Sequence, residues 1–164
     1  MRRPDIKKFS IAVTTAALAL SLTACSGAGP NAATRLIKQV TDGKEITINE
    51  NENKISVYNL LLVATEDGSA VVVGTFFNKA DQKDSLLGIS VGGVGAVITG
   101  TTDLVKDKPL RFEGDQATSK AVFNSVGAEP GRNVPVTLSF ARAGEITANV
   151  IIRDKRDDYA NVDK

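Results

Sequence analysis

Histidine and tryptophan are absent from this chain, cysteine occurs once, and the single methionine is Met1. Each absence closes a class of chemistry. Without histidine there is no imidazole to act as general base for a serine or cysteine nucleophile. One thiol cannot form an intrachain disulfide, and both common zinc-ligand types are depleted. Aromatic residues make up only 5% of the chain, with Tyr58 and Tyr159 the two tyrosines, so the stacking platforms that accompany carboxylate pairs in glycoside hydrolysis are sparse. No motif points to a Ser/Lys dyad. The expectation is a non-enzyme with no catalytic residues and no cofactor; two acidic side chains facing each other across an open cleft would be the one hydrolytic arrangement to look for.

The single cysteine is placed where a thiol has a specific use. Arg2, Arg3, Lys7 and Lys8 form a positive start, and Ile11 to Leu22 is an apolar run of a dozen residues. A permanent membrane helix needs about 20 apolar residues, whereas a run this short suits a cleaved signal sequence. It ends in Leu22-Thr23-Ala24-Cys25, the lipobox order of small residues before a thiol, and Ser26-Gly27-Ala28-Gly29-Pro30 follows as a flexible tether. Lipidation of Cys25 by a diacylglycerol thioether and an amide-linked acyl chain such as palmitate would supply the two hydrophobic anchors that stable attachment requires. The expected location is the cell membrane, lipid-anchored, on the extracytoplasmic face, with an envelope protein as a possible partner.

The expected organisation is a signal peptide helix over 1–24, a tether over 25–34, one folded domain over 35–153 and a disordered charged tail over 154–164. The leader's four basic residues stand against Asp5 alone, so the remainder carries 16 basic and 18 acidic residues, a net charge of −2. An evenly mixed, slightly acidic surface gives no electrostatic footprint for nucleic acid. Hydrophobic residues at 42% and charged residues at 24% fit a globular domain large enough to pack a core.

The domain is punctuated as a series of strands. Arg35–Val40 predicts a short helical turn or a first strand, and Asn49 to Asn53 a polar loop. Ile55–Ala64 predicts a long buried strand, and the Asp67-Gly68 pair a tight hairpin returning through Ala70–Phe77, with Gly74 marking a bulge or close approach. These two strands are placed at the centre of the sheet. Asp84 to Val91 resumes the extended pattern. The stretch Gly92 to Gly100 lacks a third glycine at position 98, where Ile98 stands, and lacks a Gly-Lys-Ser/Thr ending, so it predicts turns and strand ends rather than a nucleotide cradle. Leu110–Phe112 and Ser119–Asn124 are short strand candidates. Val134, Val136, Leu138 and Phe140 alternate with smaller residues, and Ile146, Ala148, Val150 and Ile152 repeat the alternation after a turn at Arg142 to Glu145, which predicts a closing hairpin with one apolar face. Pro135 suits an edge or a strand's first position. The fold class expected is all-β, an antiparallel immunoglobulin-like or cupredoxin-like β-sandwich of about seven to nine strands.

Asp84-Ser85-Leu86-Leu87-Gly88-Ile89-Ser90, and later Val134-Pro135-Val136-Thr137-Leu138-Ser139-Phe140 with Ala143-Gly144, carry a resemblance to the LpqE lipoproteins of mycobacteria and related actinobacteria. That family is similar to the PCu(A)C periplasmic copper chaperones, small β-sandwiches with a matching acidic start and a matching hairpin. The similarity covers roughly residues 46 to 152. The chaperones hold copper with His and Met side chains, which suit Cu(I) and Cu(II). This chain beyond its leader has neither, so the resemblance implies the fold and the location, with no metal site and no copper bound by this chain alone. The expected function is a membrane-anchored, non-catalytic binding or scaffolding module of the cell envelope. The alternative is an accessory role in envelope copper handling beside a partner that supplies the ligands. Neither Asn49–Asn53 nor Asp81–Asp84 has the spacing of a calcium loop.

Cys25→Ala is expected to move the protein from the membrane fraction to the soluble or secreted fraction in cell fractionation. An unchanged membrane fraction would overturn the lipidation assignment.

Overall fold

The computed structural model describes residues 41–163. The signal segment, the lipobox residues Leu22, Thr23, Ala24 and Cys25, the tether and Arg35–Val40 lie outside the described residues.

Eleven strands form the domain: β1 Lys44–Glu50, β2 Asn53–Ala64, β3 Ala70–Asn78, β4 Asp84–Val91, β5 Val94–Gly95, β6 Val97–Gly100, β7 Asp103–Leu104, β8 Leu110–Phe112, β9 Ser119–Phe123, β10 Asn133–Phe140 and β11 Gly144–Arg153. β5 and β7 have two residues each. The strand order is β5-β4-β10-β11-β2-β3-β8-β9-β6, with β1 added to β2 and β7 to β4. Pairing is antiparallel except at two short junctions, β11 with β2 and β8 with β9. The all-β sandwich is therefore as expected, with two very short strands added to the expected number.

β2 organises the sheet because it is long enough to take three partners. β3 runs along one edge through eight register pairs, while the other edge is shared by β1 over residues 53–60 and by β11 at Leu62 and Val63. At β11 the chain passes from the layer holding β4 and β10 to the layer holding β2 and β3, closing one side of the sandwich. The core lies between the layers, with Phe76, Phe112 and Phe123 fully buried among Leu86, Ile89 and Leu138. Phe76 meets Phe112 edge-on at 5.4 Å between centroids and tilts against Phe140 of the opposite layer at 6.5 Å. Aromatic pairs at these separations add about 1 kcal/mol each beyond the area they bury.

Turn chemistry sets the register locally. Asn51 and Glu52, at φ 48° and 65°, close a two-residue hairpin between β1 and β2. The Asp67-Gly68 hairpin is looser than expected. Only Gly68 has positive φ, and the Thr65 hydroxyl and the Ser69 amide both donate to the Asp67 carboxylate to shape a longer loop. The β2 bulge falls at Asn59 and Leu60, opposite Gly74, and Asn59 at φ 52° accepts the Gly43 amide on its Oδ1 at 2.9 Å. A Cβ at Gly43 would stand 2.4 Å from the Asn59 carbonyl carbon, so only glycine fits there. Gly92 and Gly93, at φ 57° and 83°, turn β4 into β5, which makes the glycine-rich stretch a hairpin turn. Pro135 sits in a central strand but just before the first β4 partner, Val136, where its missing donor costs no ladder bond to that strand.

The tail after Arg153, expected to be disordered, is folded as far as residue 163. Asp157–Tyr159 form a 3₁₀ turn, Val162 is 7% exposed, and Lys120 donates to the Asp163 carbonyl at 2.7 Å. Its physical cause is visible in β2, where Leu61, Leu62 and Val63 are all fully buried, so both faces of the strand are covered there. The tail supplies cover for the outer face with Tyr159 and Val162, which join the core.

One polar group ties the layer of β4 to the β10–β11 turn. Asp84 is 3% exposed, and its Oδ1 accepts the amides of Ser85 at 2.7 Å and Arg142 at 2.9 Å while its Oδ2 accepts the Ala143 amide at 3.0 Å. Losing a charged acceptor that serves three backbone donors costs about 3 kcal/mol. Asp84→Ala is therefore expected to lower the thermal midpoint by roughly 10 °C for a domain of this size. Asp84→Asn, which places a donor opposite a donor, should lose most of the same amount; a near-neutral melting curve for both would show that the turn holds without the carboxylate.

Candidate functional site

The described residues hold little that can do bond chemistry. Among them, no group of three or more His, Cys, Asp or Glu side chains could hold a metal ion. Of the two loops compared with calcium sites, Asp81–Asp84 has its carboxylates committed elsewhere. Asp81 pairs with Lys106, which holds its carboxyl below the usual range, first through the hydrogen bond and then through the charge. Asp84 is spent on backbone amides. Three carboxylates, those of Glu113, Asp115 and Asp158, line one cavity beside Tyr159, and Glu113 there stands 3.6 Å from the Lys120 ammonium. Tyr159 has its acidity weakened, chiefly by burial and then by the charge of Asp42.

The outer face of the β1–β2–β3–β8 sheet carries a more developed surface. Register places Thr47 beside Ser56 and Ser56 beside Phe77; in the next row Tyr58 lies beside Thr75, and Thr75 beside Arg111. Tyr58 is 38% exposed and meets Phe77 edge-on at 5.8 Å. Lys79 reaches over the same ring, its ammonium donating to the Tyr58 hydroxyl at 3.3 Å. That bond, followed by one with Ser56, lowers the Tyr58 pKa from its ordinary value. The exposed Lys54 lies next to Lys79, whose amide donates to the Lys54 carbonyl at 2.7 Å. The result is an aromatic pair edged by Lys54, Lys79 and Arg111 on a rigid sheet. It offers stacking and positive charge for contact with a partner.

Tyr58 lies on the sheet surface. Its pairing with Phe77 and Lys79 was not foreseen. The signal was present in Lys54 and Tyr58, which are exposed on one face of the start of β2, with the buried Ser56 between them.

No protein-family model and no curated protein matches the chain. Among solved structures it is similar to the apo PCuAC domain from PmoF1, with 21% identity, a TM-score of 0.57, and coverage of 68% of this chain and 99% of that one. It is also similar to the copper-bound PCuAC domain from PmoF2, with 17% identity, a TM-score of 0.56, and coverage of 68% and 98%. The apo PmoF2 PCuAC domain gives 17% identity, a TM-score of 0.55, and coverage of 70% and 98%. At these identities the likeness concerns the fold, and the fold of this chain is that of the PCuAC domains.

Proposed function

We propose that this protein is a membrane-anchored, extracytoplasmic lipoprotein of the LpqE type, acting as a non-catalytic binding or scaffolding module of the cell envelope. The observation that carries the reading is a PCuAC-type sandwich in a chain with no histidine and with Met1 as its only methionine. A fold of this kind without soft ligands keeps its surfaces for binding and loses direct copper coordination. Cys25 supplies the attachment. The Tyr58–Phe77 face, with Lys54, Lys79 and Arg111 around it, suits contact with an envelope protein, since aromatic and arginine side chains dominate interface energies.

A second reading, accessory work in copper handling beside a partner that brings the ligands, is favoured by the likeness to a copper-bound domain. One experiment separates the two. A photo-reactive phenylalanine in place of Tyr58 is expected to crosslink a discrete envelope protein in intact cells, with a yield unchanged by added copper or a copper chelator. A yield that follows copper would favour the accessory role. One stoichiometric copper in the purified protein would overturn the first reading.

A further inference from the structure

Between the two layers, at the end where β11 crosses from one to the other, lies a cavity of about 180 Å³ walled by Leu62, Val91, Val126, Val134 and Ile152. These side chains come from β2, β4, β10, β11 and the loop before β10, so the cavity is built by the sandwich itself. Leu62 and Ile152 are buried at its base, and Val91, Val126 and Val134 are half-buried around it. An aliphatic cavity of about 150 Å³ stays dry and accepts a benzene-sized guest, so this one has room for about six carbons.

The charged groups of the lining are Glu129 and Arg132, whose side chains are 68% and 69% exposed and therefore stand at the mouth. They pair with each other at 2.7 Å. An exposed pair of this kind contributes only about 0–1 kcal/mol, so another carboxylate can replace Glu129 at little cost. The backbone that carries Arg132 is fixed at the mouth: the Ile152 amide donates to the Arg132 carbonyl at 2.8 Å, and the Gly131 amide donates to the Ile152 carbonyl at 2.8 Å. A hydrocarbon cavity with a guanidinium at its mouth matches a ligand with an apolar tail and an anionic head, because guanidinium and carboxylate meet through two parallel hydrogen bonds.

We propose that this cavity binds an aliphatic monocarboxylate of about six carbons, with its chain between the layers and its carboxylate on Arg132. The proposal gives a ligand class to the non-catalytic binding role on which it rests. Its failure is distinguishable from the failure of that role, since crosslinking at Tyr58 reads a different face and a different partner.

The test is a methyl-resolved NMR titration of the chain from residue 25 onward, carrying Cys25→Ala, with hexanoate, hexanol and hexylamine. Hexanoate is expected to give saturable shifts at Val91, Val126, Val134 and Ile152 with a dissociation constant on the order of 1 mM. Hexanol should bind about tenfold more weakly, and hexylamine more weakly still. Arg132→Gln should reduce hexanoate to the affinity of hexanol without altering the melting temperature. Val126→Phe, a loop substitution that fills the cavity, should abolish binding of all three while the rest of the spectrum is preserved. Absence of shifts at ~20 mM hexanoate, equal affinity for hexanoate and hexanol, or hexanoate affinity unchanged in the Arg132→Gln protein would each overturn the proposal.

Discussion

The carboxylate of Asp84 holds the fold at the point where the start of β4 meets the turn between β10 and β11, within one layer of the sandwich. It is buried, and its bonds go to backbone amides: its neighbour's and two from the turn between β10 and β11. That turn has a three-residue loop, with Phe140 opposite Gly144, and Gly144 at φ 77° completes it in a conformation that glycine adopts without steric cost. Inward-pointing amides in such a loop need an acceptor, and a neutral one would serve them more weakly. The Ala141 amide donating to the Ser85 carbonyl at 2.9 Å adds a further tie between the same two segments. The stretch beginning at Asp84 and the hairpin stretch ending at Ala143-Gly144 are thus the two halves of one hydrogen-bonded joint.

Once that joint sets the entry of β11, the rest of the architecture follows from strand lengths. β11 has ten residues and pairs with β10 over its first eight, leaving Ile152 and Arg153 to reach β2. β1 stops short of Leu62 and so leaves room for them on the β2 edge. The crossing makes a nearly closed sandwich, and it leaves the gap at its end that Leu62, Val91, Val134 and Ile152 line. Beyond Arg153 the chain has to turn back over the outer face of β2 and β3, where apolar residues need cover. Tyr159 and Val162 provide it, and the Lys120 and Lys155 contacts to Asp163 fasten the end.

Legibility followed the number of solvent-facing sides. β10 and β11 each expose one face along most of their length, so period two is plain from Val134 to Phe140 and from Ile146 to Ile152. β2 changes character midway: Lys54 and Tyr58 are exposed on one face with the buried Ser56 between them, and the run from Leu60 to Ala64 is apolar on both sides because the tail covers the second face. A ten-residue apolar reading merged the two regimes and hid the Tyr58 surface. The tail was misread for the complementary reason, since a few apolar residues among charges have no period to detect, and their value depends on a surface brought near by folding. β7 is two residues long, and its buried Leu104 sits in what looks like a charged connection. The Arg132 cavity was not legible, because its walls are separated by up to ninety positions and share no pattern.

Among the described residues, the interactions that hold this sandwich use no histidine, cysteine or methionine side chain. Asp84 uses backbone donors, the Phe76, Phe112 and Phe140 cluster uses area and ring geometry, and Asn78 satisfies its buried amide on the Gln82 and Leu104 carbonyls and on the Ala80 amide. Side chains that coordinate a metal ion in a fold of this kind are therefore separable from the side chains that build it, and a chain can keep the fold with no histidine at all. What such a chain retains is rigid shape: a sheet face whose aromatic and cationic residues are fixed by register, and an interlayer gap whose aliphatic walls are fixed by the β11 crossing. Rigid, preformed surfaces lose little entropy on binding. Attachment at Cys25 would add to this by confining the domain near the membrane, where even a millimolar contact is occupied when its partner is held at comparable effective concentration.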